Sequence, residues 1–333
     1  MNTPQRFYRG GERIYAFRGL DLPHDFDGFR PEDWLASTTR LFAEGGDGVS
    51  LLSDHLDLPT ALAQDPVGWL GEEHLRAHGA EPGILTKLLD AGERLPVHSH
   101  PDRRFAAAHL DCDHGKTEAW IVLMAEPGAV VWLGFRDDIP PDALAGLVAA
   151  QDERLLAACN RIEVAAGDAI LVPAGRPHAI GEGVLVLELQ EPTDLSVMLE
   201  HRRFGLEEAH AFLGLPRDLA LGSVDTRALD QDGLRRLRGR WTNISGVASA
   251  LPDEAARFFR AQVVSTATGP ARLEAGFSVT VVVGGRGTID TEHGPGPLLI
   301  GRGDVLLTPH RAGRVRVEGG VTVIRCMPPV GIA

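Results

Sequence analysis

Two spacings restrict this chain more than any other feature of its sequence. Gly92 is followed by five residues and then His98-Ser99-His100; Gly167 is followed by five residues, then Pro173-Ala174-Gly175, two more residues and His178. Residues two apart on a strand face the same side, so His98 and His100 project together while Ser99 points away. Glycines and Pro173 turn the chain at the end of a strand and bring His178 back beside the other two imidazoles. Glu118, at the head of the apolar run Glu118 to Leu123, supplies a carboxylate. Three imidazoles and one carboxylate make a ligand set for one divalent metal. Zn, Fe, Mn, Co and Ni are all compatible with these donors, and ligand type alone does not choose among them.

The surroundings read as β structure. Gly (39) and Pro (22) punctuate short apolar runs such as Ala129 to Leu133, Ala169 to Val172 and Val184 to Leu189. Two stretches depart from this: 59–78 and 141–160 carry apolar residues at helical spacing and read as helical insertions. Between 201 and 245 the chain turns to Arg, Asp, Glu and Leu without β alternation, as a connecting, partly helical segment. Gly167-Asp168-Ala169-Ile170-Leu171-Val172-Pro173 returns in spacing and character as Gly303-Asp304-Val305-Leu306-Leu307-Thr308-Pro309, which marks an internal duplication. The Gly92–His100 and Gly167–His178 spacings resemble the two cupin signatures, and the fold that resemblance implies is mainly β: two cupin (jelly-roll) barrels with helical insertions. The first barrel has its core at about 84–200 within an N-terminal region of residues 1–200, and the second spans 246–333. His293 and His310 in the second half lack both ligand spacings, so that barrel is expected to hold no metal.

A formal charge of −13 excludes a nucleic-acid or anionic-membrane surface as partner, because phosphate backbones select basic faces. No apolar run is long enough to span a bilayer, and the first ten residues lack the apolar core of a secretion signal. Cys112, Cys159 and Cys326 are odd in number and scattered. They form neither a disulfide framework nor a thiolate site, and a cytoplasmic location follows as the expectation. Of the 33 basic residues only Lys87 and Lys116 are lysine, and both flank the HxH motif. An arginine keeps its proton at any accessible pH, whereas a lysine offers a compact charge that a pocket can tune.

The first two hundred residues resemble the type I mannose-6-phosphate isomerases. The words that carry the resemblance are Glu32-Asp33-Trp34, Ile84 to Ala91, His98-Ser99-His100-Pro101-Asp102, Gly115-Lys116-Thr117-Glu118-Ala119-Trp120, and Pro173-Ala174-Gly175 before His178-Ala179-Ile180-Gly181. The resemblance implies a metal held by His98, His100, Glu118 and His178, with Trp34, Lys87 and Lys116 facing a sugar phosphate. It implies an aldose–ketose isomerisation through an enediol, for which Lys116, Glu188 and a metal-bound hydroxide are the candidate proton carriers, with Lys116 and Glu188 the side chains expected to act. Three positions depart from the family pattern: His98 replaces a glutamine, Pro96 a substrate-contacting serine, and Met198 an arginine. Lys87, Arg103, Arg104, Arg202 and Arg203 are the cations near enough in sequence to replace that arginine. The partner expected is a small sugar or sugar phosphate, acted on by a monomer or homodimer. An isomerase of an unphosphorylated sugar, a cupin dioxygenase with redox iron or nickel, and a sugar-sensing cupin without catalysis remain as alternatives.

Overall fold

The computed structural model describes residues 1–42, 48–53 and 55–330. The protein is mainly β, built from antiparallel sheets in an arrangement consistent with a cupin-like fold; among the described residues no sheet closes into a barrel. A six-stranded sheet runs in the order Glu32–Leu35, Leu85–Ala91, Val184–Gln190, Glu118–Ala125, Asp168–Val172, Arg238–Arg240. A five-stranded sheet runs Val197–Met198, His98–Ser99, His178–Ile180, Val130–Phe135, Cys159–Glu163. A seven-stranded sheet begins at Gly246–Ser249 and centres on the long pair Ser278–Thr291 and Val315–Met327.

Side-chain alternation explains how these sheets stack. On the strand Val184–Gln190, Leu185, Leu187 and Leu189 face one way, into an apolar cluster with Leu58, Leu62 and Leu70 from the helices and Val263, Val279 and Ile324 from the seven-stranded sheet. Val184 and Val186 face the other way, against Val131, Leu133 and Ile180 of the five-stranded sheet. The same inner face carries Glu188 and Gln190. The six-stranded sheet is thus a shared wall, apolar on both sides except at the end where the charged residues gather. Leu187 is fully buried in the larger cluster, so Leu187→Ala is expected to lower unfolding stability by about 2–5 kcal/mol, seen as a lower urea midpoint at unchanged slope.

Both helical insertions form, each broken. The first is three short helices, Leu58–Gln64, Pro66–Leu70 and Glu72–His78. Pro66 pushes Asp65 out of helical geometry (φ −146°, ψ 66°), and the Asp65 carboxylate then caps the next helix by accepting from Gly68 N at 2.9 Å. The second is Pro141–Ala150 followed by Glu153–Ala158, with Asp152 accepting from Arg154 N at 3.0 Å. In the connecting stretch, short helices such as Arg217–Leu221 and Gln231–Arg236 alternate with turns, and Arg238–Arg240 adds an edge strand beside Asp168–Val172.

The internal repeat is visible as the same turn made twice. Asp168 donates its N–H to Ala165 O (3.1 Å) while its carboxylate accepts from Ala165 N (2.9 Å). Asp304 does the same with Gly301, at 3.0 and 2.8 Å. Gly167 and Gly303 precede these aspartates with φ of +102° and +95°, in the left-handed half of backbone space that glycine enters without strain. The copies diverge after the proline: the first continues to His178 on a strand, the second into the 3-10 turn His310–Ala312.

Candidate metal centre

His98, His100, Glu118 and His178 converge where the six- and five-stranded sheets face each other, with one potential ligand atom from each within 4.8 Å of all the others. His178 stands directly opposite His98 across two strands. The ring centroids lie 4.2 to 5.0 Å apart, and all four residues are buried. Each imidazole uses its Nδ1 toward a backbone carbonyl: His98 to Pro96 O (2.9 Å), His100 to Leu195 O (2.9 Å), His178 to Arg176 O (2.8 Å). A carbonyl only accepts, so Nδ1 carries the proton in all three rings and Nε2 keeps its lone pair. The Nε2 of His178 lies 3.1 Å from Glu118 Oε1 yet has no hydrogen-bond partner. Burial and the neighbouring rings hold the His98 imidazole well below its usual pKa, and burial with Lys116 takes His100 down to about 3. Burial opposes the Glu118 charge, but His100 and Lys116 outweigh it and keep the carboxylate ionised. Neutral imidazoles with fixed tautomers, one ionised carboxylate and an orphaned buried nitrogen fit a divalent cation.

The backbone that presents these ligands is fastened at several points. Gly175 N donates to His100 O (2.7 Å), which ties the turn before His178 to the HxH strand. In Gly115-Lys116-Thr117-Glu118, Lys116 N donates to Pro101 O (3.0 Å) and Thr117 N to Glu191 Oε2 (2.8 Å). A side chain at Gly115 would meet Arg103 N at 2.7 Å, so that position must be glycine for the lysine to sit where it does.

Cross-strand register sets the rest of the site. Trp34, Lys87, Glu188 and Trp120 form one row across four strands of the six-stranded sheet. Lys116 Nζ lies 3.2 Å from His100 Nε2 and 3.5 Å from Glu118 Oε2. Lys87 Nζ lies 3.3 Å from Glu32 Oε2 and 3.5 Å from Glu188 Oε1. Burial would strip the Lys87 proton, but Glu32 and Glu188 raise its pKa instead, so this lysine is a fixed charge rather than one tuned toward neutrality. Burial, followed by repulsion from Glu118, pushes the Glu188 carboxyl up to about 7. Trp34 stands one layer back: its ring lies 4.8 Å from Lys87 Nζ, its indole N–H donates to Glu32 Oε2 (2.6 Å), and its backbone N–H donates to Asn2 O (2.8 Å).

The cavity beside the ligands measures only about 30 Å3, and Arg6, Phe7, Tyr8, Lys87, Lys116, Glu188 and Met198 are among its lining residues. Arg103, Arg104, Arg202 and Arg203 do not line it. Asp102 caps the helix Arg103–His109 (2.7 Å to Phe105 N), and Arg103 pairs with Glu191 at 2.5 Å. His114 pairs with the exposed Glu81 at 3.0 Å, and the His109 ring lies tilted against Phe105, 4.7 Å between centroids. The cation that motif spacing missed is Arg6. It grips Asp194 with two bonds of 3.1 Å, stands 3.2 Å from Glu32, and lines the same cavity as Met198. Tyr8 also bonds Glu32. The N-terminal segment reaches the site through Arg6 N to Phe29 O (2.9 Å) and the Gly10–Phe29 bridge, contacts with no local sequence signature.

No family model matches the sequence. Among curated proteins, the chain is 34% identical over 190 residues to "Mannose-6-phosphate isomerase" of Streptococcus mutans, covering 56% of this chain and 54% of that one. It is 29% identical over 194 residues to "Mannose-6-phosphate isomerase ManA" of Bacillus subtilis, covering 57% and 56%. The chain thus spans just over half the length of the curated relatives it matches. Among solved structures, the mannose 6-phosphate isomerase of Bacillus subtilis shares the fold over 97% of this chain and 96% of its own, with a TM-score of 0.72 at 21% identity. A mannose 6-phosphate isomerase bound with zinc and yttrium does so over 98% of each chain, with a TM-score of 0.71 at 13% identity.

Proposed function

We propose, on the premise of the type I mannose-6-phosphate isomerase family that sequence relatives and structural neighbours support for this chain, that it interconverts mannose 6-phosphate and fructose 6-phosphate through an enediol. The observation that carries the reading is the buried ligand cluster with Lys116 against it and Lys87 and a protonatable Glu188 lining the same cavity. His98, His100, Glu118 and His178 would hold one divalent ion, zinc by preference. Such an ion supplies Lewis acidity toward the sugar carbonyl and hydroxyl oxygens. The side chains do the rest. Glu188, with its carboxyl near neutrality, takes the proton from C2 and returns it at C1. Lys116, an ammonium touching the ligand cluster, donates to the oxygen on which charge develops. Lys87 stays charged beneath Glu188 and keeps that carboxyl in place.

Charge balance agrees with an anionic substrate. Arg6, Lys87 and Lys116 face Glu32, Glu118, Glu188 and Asp194, an excess of one negative charge that a divalent ion turns into an excess of one positive. The cavity of about 30 Å3 is too small for a hexose phosphate as it stands, so on this reading its lining, the segment Arg6 to Tyr8 among it, shifts on substrate entry. The alternatives are less favoured: two ammonium groups and buried carboxylates around the cluster do not suit the apolar walls a dioxygenase substrate requires.

The architecture belongs to the same reading. The six- and five-stranded sheets are the two walls of a first cupin jelly roll with its core at about 84–200, and 246–333 is a second, metal-free copy, the last three residues of which lie outside the described ones. The paired Asp168 and Asp304 turns support that duplication. Among the described residues no helix is long and apolar enough to cross a membrane, and three free cysteines accord with the cytoplasm.

A coupled assay with mannose 6-phosphate, run beside elemental analysis of the purified protein, tests the assignment. In that assay Lys116→Arg should lose at least about tenfold in turnover, roughly 1.4 kcal/mol of barrier, because a planar fork cannot occupy the place of a compact ammonium 3.2 Å from His100. Wild-type turnover in that variant would remove Lys116 from the mechanism.

A further inference from the structure

A second polar cavity lies far along the chain from the ligand cluster. Between the seven-stranded sheet and the helix Glu72–His78 there is a cleft of about 540 Å3, with Arg260, Gln262, Arg272 and Arg325 on the sheet side and His74 and His78 on the helix side. Strand alternation assembles it. Arg260 and Gln262 are two apart on Arg260–Ser265 and share a face, and Gln262 stands directly opposite Arg325 on the neighbouring strand.

The arginines of this cleft are unlike Arg6 at the first site, whose charge is met by carboxylates. Arg325 is 3% exposed, and its guanidinium donates to Ser278 Oγ (3.0 Å) and to the carbonyls of Glu274 (2.9 Å) and Gly276 (3.3 Å). Arg260 donates to the Pro328 carbonyl at 2.9 Å. All of these acceptors are neutral. Glu73 and Glu274 line the same cleft, yet among the described residues neither forms an ion pair with Arg260 or Arg325. Burial, then the proximity of Arg260, pulls the Arg325 guanidinium down to about 10, and burial lowers Arg260 as well. Gln262 adds a buried Oε1 with no partner; a half-turn of the amide would present its Nε2 as a donor instead.

Arg325 is buried and Arg260 half-buried beside it, and the carboxylates of Glu274 and Glu73 act on them only from beyond ion-pair distance, so among the described residues neither guanidinium has a close counter-ion. A bound anion supplies the missing charge, and a guanidinium fork matches phosphate oxygens two at a time. We propose that this cleft is a binding site for a small phosphate-bearing anion, separate from the metal centre, with Arg325 as its floor, Arg260 as its wall and the exposed Arg272 at its mouth.

Inorganic phosphate titrated into the intact, metal-loaded protein tests this, read by 31P line width and by thermal denaturation. Wild type should bind and melt at a higher temperature as phosphate is added. The double variant Arg260→Gln/Arg272→Gln should lose at least about tenfold in affinity, roughly 1.4 kcal/mol, while melting no lower than wild type in phosphate-free buffer. Lys87→Gln, altered at the metal centre, should bind as wild type does. Undiminished binding in the double variant, loss of binding in Lys87→Gln alone, or equal affinity for malonate would each overturn the proposal. Arg325 is left intact in this design because its side chain also holds two loop carbonyls.

Discussion

Chelation of the purified protein should release about one equivalent of divalent metal and remove isomerase activity with it, and Glu118→Gln or His100→Ala should do the same permanently. The expected loss is at least about a thousandfold in kcat/KM, roughly 4 kcal/mol of transition-state stabilisation. The size follows from the donor set. Glu118 is the only carboxylate in the cluster, and without it three neutral imidazoles face the ion with no compensating charge. The His100→Ala variant also frees Lys116 from its 3.2 Å contact, so its loss combines metal affinity with lysine placement. Glu118→Gln keeps the shape and separates the two. Circular dichroism should show both variants folded, since neither Glu118 nor His100 is itself a member of the apolar clusters that join the sheets. A Glu118→Gln protein that retains one equivalent of metal and activity within about tenfold of wild type would overturn the assignment of the centre.

The metal cluster was readable in the sequence because each ligand obeys a local rule: period two for His98 and His100, a proline–glycine turn for His178, a strand head for Glu118. The β class and the repeated Gly-Asp turn were readable for the same reason. The breaks in the helical insertions carried their own signals, Pro66 and Gly71, which the apolar spacing across them outweighed. Other features depend on register between distant strands. Lys87 and Glu188 are 101 positions apart and become neighbours only because Val184–Gln190 pairs with Leu85–Ala91 in one register. Arg6 is further removed: it comes from the N-terminal segment to Asp194 and Glu32, and no motif anticipates that closure. Trp34 likewise depends on distant register: its indole N–H reaches Glu32, its backbone N–H donates to Asn2, and its ring stands against Lys87.

Mannose 6-phosphate should be preferred over mannose by more than about a hundredfold in kcat/KM, roughly 2.7 kcal/mol, even though Met198 stands where the family pattern has arginine. Met198 pairs in register with His98 and lines the cavity, so the missing guanidinium is missing at the ligands themselves. An unpaired phosphate in a partly closed pocket is costly, so another cation must meet it. Of Lys87, Arg103, Arg104, Arg202 and Arg203, only Lys87 lines the cavity, and it is committed to Glu32 and Glu188, while Lys116, also on the lining, is engaged by His100 and Glu118. Arg6 is the remaining arginine there, and to meet the phosphate it would exchange its contacts with Asp194 (3.1 Å) and Glu32 (3.2 Å) for the substrate. Arg6→Gln should therefore lower kcat/KM for mannose 6-phosphate by at least about tenfold and leave the low activity on mannose nearly unchanged, compressing the preference. Met198→Arg should restore some of that loss when combined with Arg6→Gln. Equal use of both sugars by the wild type would instead make this an isomerase of unphosphorylated sugars, with Met198 and the Arg6–Asp194 pair as the features that exclude the phosphate.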